Sequence, residues 1–173
     1  MTYTTVGDGS KDGFALAKEA GAPGPLALVV DGKQRDLAYV VPDGAEARVI
    51  VQTEDDGRYI LRHSTAHVLA QAVLRLYPGA KYSIGPPIED GFYYDFDVER
   101  PFTPEDLERI EAEMRAIVKE NQRFEREELD RDEALRLFAD QPYKVEIIEG
   151  VGSKTADAID QQEAAEGEVI SIY

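Results

Sequence analysis

His63 and His67 are the only histidines in the chain, and they stand four residues apart. On a helix that spacing stacks both imidazoles on one face, within reach of a shared water, ion or polar substrate. Histidine is the side chain whose ordinary pKa lies nearest neutrality, so the pair can take a proton from water or orient a substrate. The same spacing is common on helices that do no chemistry, and the residue types alone leave both readings open. Ala66, Ala70 and Leu74 flank the pair, which sets it apart from a plainly solvated face. Zinc is poorly supported, because it needs a third protein ligand and the metalloprotease pattern needs Glu where Ser64 stands.

Two further groups have chemical potential. Gly85-Pro86-Pro87 and Gly91-Phe92-Tyr93-Tyr94 can form a stiff wall, with backbone open to a ligand and aromatic faces for a nucleobase. The plainer reading is a tight turn followed by a core strand. Lys144 lies between Tyr143 and Val145 in what alternates as an apolar strand, where its ammonium can hold a carbonyl or phosphate oxygen or can simply be solvated. No nucleotide-binding loop of the form Gly-x-x-x-x-Gly-Lys-Ser/Thr is present, so nothing marks an ATP site.

These residues need elements to hold them. At 173 residues and 43% hydrophobic content the chain can build a packed core. The absence of cysteine excludes disulfides and thiolate metal sites. A net charge of −16 disfavours an unaided grip on nucleic acid. No apolar run approaches the length of a membrane span and the first residues form no signal peptide, so the expected location is cytoplasmic.

The chain reads as α+β in two parts, 1–58 and 59–173, divided near Asp55-Asp56-Gly57. The first part combines a short helix carrying Phe14, Leu16 and Ala17 with strands at Leu26–Val30, Leu37–Val41 and Ala47–Gln52, the first two joined by a long irregular turn. In the second part Ser64 caps a helix to about Tyr77, with Leu69, Ala72, Val73 and Leu76 on one stripe. A short strand at Tyr82–Gly85 and an aromatic strand at Phe92–Asp97 follow. Thr103-Pro104-Glu105-Asp106 starts a helix whose apolar positions are Leu107, Ile110, Met114, Ile117 and Val118, with pairs such as Glu105 and Arg109 on its charged face. A helix at Asp132–Ala139, a strand at Tyr143–Glu149, a polar loop at 150–167 and a strand beginning at Val169 complete the reading.

Arg62-His63-Ser64-Thr65-Ala66-His67, then Ile84-Gly85-Pro86-Pro87-Ile88-Glu89-Asp90-Gly91-Phe92-Tyr93-Tyr94-Asp95, then Pro142-Tyr143-Lys144-Val145 together resemble the amino-terminal region of bacterial threonyl-tRNA synthetases, closest to actinobacterial members. The resemblance implies a small ubiquitin-like β-grasp (TGS) module over 1–58 and the first part of an α+β editing domain over 59–173. In that family the editing domain hydrolyses seryl-tRNA(Thr) made in error, since a threonine pocket cannot fully exclude a residue smaller by one methyl group. Carried over by position, His63, His67 and Lys144 match catalytic residues, and Gly85 and Tyr94 match pocket positions with Tyr93 beside them.

The resemblance also implies a tRNA(Thr) acceptor end as partner and a homodimer formed through other parts of the protein. It implies no metal in this segment, with zinc and ATP/Mg confined to a ligase core that these residues do not include. The family completes its site with an Asp-x-Cys-x-x-x-His segment, whereas this chain has no cysteine and no third histidine. The expectation is therefore an incomplete editing domain, weak or inactive alone. The other class of function left open is a non-catalytic TGS-type binding or regulatory module.

Overall fold

The computed structural model describes residues 2–122, 127–150 and 169–172. The chain divides into two compact units, Met1–Ser64 and Thr65–Tyr173, and mixes helices with small antiparallel sheets.

The first unit runs β1 (Tyr3–Val6), α1 (Gly13–Glu19), β2 (Pro25–Val30), β3 (Lys33–Arg35) and β4 (Glu46–Val51). Its strands pair antiparallel in the order β1-β4-β2-β3. Asp12 starts α1 by accepting the Ala15 amide at 2.9 Å, which satisfies one of the first-turn donors that the helix itself cannot. Leu16 and Ala17 of α1 are buried with Leu28 and Val30 of β2 and Val49 and Val51 of β4.

The second strand of the expected hairpin is displaced. Asp31 and Gly32 both take positive φ, 52° and 73°, the backbone of a tight two-residue turn that matches strand twist. Val30 therefore pairs directly with Lys33, and β3 occupies residues assigned from sequence to an irregular turn. Leu37–Val41 is not a strand. It crosses as turns with a single bridge from Val40 to Asp12, and its apolar residues serve the core, where Leu37 and Val41 are buried.

Asp55-Asp56-Gly57 and Ser64, read from sequence as a junction and as a helix cap, lie inside one helix, α2 (Asp55–Leu76). Nothing in 58–63 interrupts it, and Arg48 of β4 anchors its start by donating to Glu54 at 2.7 Å and to Asp56 at 2.8 Å. Gly57 is required by close approach, since a Cβ there would strike the Val51 carbonyl.

Beyond α2 the second unit continues through β5 (Lys81–Tyr82), β6 (Pro87–Ile88), β7 (Gly91–Phe92), β8 (Phe96–Asp97), α3 (Pro104–Glu120), β9 (Glu127–Asp130), α4 (Arg131–Leu137), α5 (Pro142–Glu149) and β10 (Val169–Ile172). The aromatic run 92–97 is two strands, because β7 pairs with β6 and β8 with β5. At the far end β10 pairs antiparallel with β9, a partner that the sequence reading lacked. Of the polar stretch 150–167 only Gly150 is among the described residues, and Tyr173 also lies outside them.

The core of this unit joins Ala72 and Val73 of α2 to Ile110 and Ile117 of α3, with Leu69, Leu76, Phe96, Phe102 and Met114 packed around them. Leu107 and Val118, expected on the same stripe, are exposed. The start of α3 is built on Asp106, which is only 3% exposed. Its carboxylate accepts Arg100 Nη1 at 2.5 Å, Arg100 Nη2 at 3.1 Å, the Tyr77 hydroxyl at 2.7 Å and the Thr103 amide at 3.0 Å. Thr103 Oγ1 in turn accepts the Asp106 amide at 3.3 Å, closing a capping box. Arg109, expected opposite Glu105, lies 3.7 Å from Asp106 instead. Farther along, Arg75 of α2 reaches Glu113 at 3.1 Å and Glu120 at 2.6 Å on α3.

Two stability outcomes follow from this packing. Leu28→Ala removes a fully buried side chain from the first core and is expected to cost about 2–5 kcal/mol in a denaturant titration. An unchanged midpoint would show that this core carries little of the unit's stability. For Asp106, the Arg100 guanidinium first, then the Thr103 amide and Tyr77 hydroxyl, hold the carboxyl well below the usual carboxylate range. A group depressed in this way stabilises the fold fully above that range, and the contribution fades as the pH falls through and below it. Asp106→Asn is therefore expected to lower the melting temperature at neutral pH and to flatten its decline in acid. Parallel melting curves for parent and variant at every pH would contradict that assignment.

Candidate functional site

The alternation of the strand region decides which aromatic residues face inward. Tyr94, Phe96 and Val98 are half-buried, while Tyr93, Asp95 and Asp97 are exposed, the period-two pattern of a pleated backbone. Backbone bonds from Ser83 N to Asp95 O at 3.0 Å and from Asp95 N to Ile84 O at 3.1 Å extend the β5–β8 pairing toward Gly85. Gly85 is thereby pressed against the Tyr94 ring, and a Cβ at that position would run into ring carbons. Tyr94 stacks on Phe96 at 4.9 Å with an interplanar angle of 18°, and Tyr82 tilts against it at 6.3 Å. Offset ring pairs of this kind are favourable beyond their burial. Burial also pushes the Tyr82 phenol pKa up.

Lys144 arrives from a helix, not the strand expected from Tyr143–Glu149. Pro142 occupies the first helical position and Gly150 closes α5 with φ 75°, its amide bonding to Glu146 and Ile147 carbonyls. Tyr143, Val145 and Ile147 fit period two, but the adjacent Ile147-Ile148 fits a helix better, and that was the available signal. The first turn of α5 is tied to the ribbon at several points. Lys81 Nζ donates to the Asp140 carbonyl at 2.7 Å, the Tyr82 amide to Gln141 Oε1 at 3.3 Å, and the Tyr143 hydroxyl to Asp97 at 3.1 Å. Lys144 Nζ then sits 5.2 Å from the centroid of the Tyr82 ring, within cation–π range.

His63 and His67 stand one turn apart on α2, and both are half-buried. The Tyr59 ring, one turn earlier, meets His63 edge-on at 6.3 Å, while Ala66 and Ala70 beside the pair are buried.

Of the residues singled out from sequence, Gly85, Tyr94 and Lys144 thus share one layer organised around Tyr82. Tyr93 turns to solvent and is 44% exposed, the opposite face from Tyr94. Tyr82 and Gln141 were missed, and the only hint of Tyr82 was an aromatic residue inside a short strand. Among the described residues no group of three or more His, Cys, Asp or Glu side chains is placed to hold a metal ion. Among them also, no helix is long and apolar enough to cross a membrane.

No family model matches the chain. It is 47% identical over 171 residues to a threonine–tRNA ligase of Thermobifida fusca, covering 99% of this chain and 25% of that protein. It is 51% identical over 148 residues to the threonine–tRNA ligase of Streptomyces avermitilis, covering 86% of this chain and 22% of the relative. With that of Mycobacterium ulcerans it shares 54% identity over 140 residues, 79% of this chain and 20% of the relative. The chain therefore spans a quarter or less of these curated relatives.

The contact between Gly85 and Tyr94 is directly testable. Gly85→Ala has to displace the Tyr94 ring, and overpacking of this kind costs about 1–3 kcal/mol. Reduced stability is expected together with shifted ring resonances of Tyr94 and Phe96. A variant with parent-like stability and spectra would show that the Tyr94 ring does not press on position 85.

Proposed function

The chain is homologous to actinobacterial threonine–tRNA ligases along nearly its whole length while spanning a quarter or less of theirs; from that premise we propose that it is the editing region of such a ligase. In this reading 1–58 form a TGS-type β-grasp module and 59–173 the first part of an editing domain that hydrolyses seryl-tRNA(Thr). The observation that carries the reading is the 47% identity over 171 residues to one such ligase. The four-stranded sheet with α1 against it and the clustering of Gly85, Tyr94 and Lys144 support it.

The chemistry is the addition of water to an ester carbonyl. His63 and His67 orient that water and accept its proton, and the Lys144 ammonium faces the negative charge that develops on the carbonyl oxygen. The bond from the acyl carbon to the ribose oxygen then breaks, and the proton returns to that oxygen. Serine and a tRNA with a free hydroxyl leave. Gly85 and Tyr94 wall the amino-acid side, and Tyr93, facing solvent, is available to the terminal nucleoside. Water is the nucleophile and no metal takes part in this segment, while zinc, ATP and Mg serve the remaining parts of the ligase. The whole protein is a cytoplasmic homodimer joined through those parts. With a net charge of −16, this segment leaves most of the grip on tRNA to them.

Deacylation of seryl-tRNA(Thr) by an intact ligase carrying this sequence, with threonyl-tRNA(Thr) as control, tests the reading. His63→Ala and His67→Ala are each expected to slow hydrolysis of the seryl ester by about a hundredfold or more without unfolding the protein. Lys144→Ala has a smaller effect in the same direction. Parent-like editing by all three variants would remove these residues from the site. Stable binding of a partner with no hydrolysis would favour a non-catalytic module instead.

A further inference from the structure

We infer that Tyr82 is a positioning residue for the Lys144 ammonium, presenting its ring face so that the charge is aimed at the carbonyl of a seryl ester. The inference rests on the esterase reading for its substrate, and on the geometry of α5 for the rest.

Lys144 is the third residue of α5, where the helix dipole presents its positive end and disfavours a cation. The first turn holds no acidic residue, and Gln141 supplies no side-chain cap, because its carbonyl oxygen is turned to the Tyr82 amide at 3.3 Å. The negative face of the Tyr82 ring, 5.2 Å from Nζ, is favourable electrostatic surface that this turn does not provide for itself. Tyr82 therefore contacts the first turn of α5 twice, through its amide and through its ring.

The ring itself is braced. Tyr94 lies against it at 6.3 Å and stacks in turn on Phe96, and Gly85 leaves the Tyr94 ring no room to retreat on its side. The ribbon is pinned to the same turn by Lys81 to the Asp140 carbonyl and by Tyr143 to Asp97. A lysine side chain has several rotatable bonds and little geometric preference of its own. A rigid aromatic plane 5.2 Å from the ammonium restricts where it can point, and a small error in aim is costly for catalysis. Tyr82 touches neither water nor ester in this assignment, and acts only through Lys144.

The test uses an intact ligase carrying this sequence, with its lysines reductively ¹³C-methylated, and a non-hydrolysable seryl-3′-amidoadenosine as probe. Lys144→Arg identifies the Lys144 resonance. In the parent that resonance is expected upfield from the Tyr82 ring current. Tyr82→Phe keeps the shift and binds the amide within about twofold of the parent, whereas Tyr82→Leu loses the shift and binds about tenfold more weakly. An unshifted Lys144 resonance in the parent, or one that Tyr82→Leu leaves in place, overturns the contact regardless of binding. Loss of the shift with parent-like binding overturns the positioning role. If the parent fails to bind the amide, the seryl-ester reading is overturned and with it the aim of Lys144 at that substrate. In that case the resonance still reports separately on the tether.

Discussion

The second unit depends on a buried carboxylate. A charge in the protein interior is tolerated only if its desolvation is offset, and Asp106 achieves this with donors from three places. Arg100 and Thr103 lie just ahead of α3, and Tyr77 just past the end of α2. One side chain thereby sets where α3 begins and how it meets α2. From Tyr77 a run of rings leads on through Phe102, at 5.3 Å, and Phe96, at 6.2 Å, to Tyr94 and Tyr82. Close-packed aromatic planes transmit displacement because there is little free volume to absorb it. The position of Lys144 over Tyr82 is thus referred, ring by ring, to the same helix junction that Asp106 secures.

That chain of dependence explains which parts of the structure were legible in the sequence. The start of α3 was readable because Thr103, Pro104 and Asp106 act locally, each within a turn of the backbone it satisfies. The stripe on α2 was readable for the same reason, its period being a property of one helix. The burial of Asp106 was not readable, since acidic residues in a first turn are ordinarily solvated and Arg100 and Tyr77 have to be brought to it. Strand β3 was displaced by two residues with positive φ, a local signal outweighed in the reading by the longer apolar run at Leu37–Val41. That run is apolar because Leu37 and Val41 plug the core, not because they pair.

The candidate site divides in the same way. Gly85, Tyr93 and Tyr94 were read together from the resemblance as one wall, and the pleat that puts Tyr94 inward and Tyr93 outward was not drawn from the sequence. Lys144 was legible by type but not by element. An eight-residue segment carries too few periods to separate strand from helix, and here the capping residues Pro142 and Gly150 decide the outcome. Tyr82 was illegible because its role is defined by what packs above it. Nothing in Lys81-Tyr82-Ser83 foretells a helix first turn arriving from a segment about sixty residues later.

The arrangement suits the discrimination that the proposed reaction demands. Serine and threonine differ by one methyl group, and a pocket can turn such a difference into only about 1–3 kcal/mol. That small difference survives only if the wall meeting the methyl cannot yield by a few tenths of an ångström. A wall of exposed, flexible side chains would yield. Gly85 set against Tyr94, with Tyr94 stacked on Phe96 and Phe96 packed into the α2–α3 core, is a surface whose retreat requires several rings to move together. On the proposed reading, the rigidity needed for selectivity and the rigidity that aims Lys144 come from one stack of rings, anchored at a single buried charge.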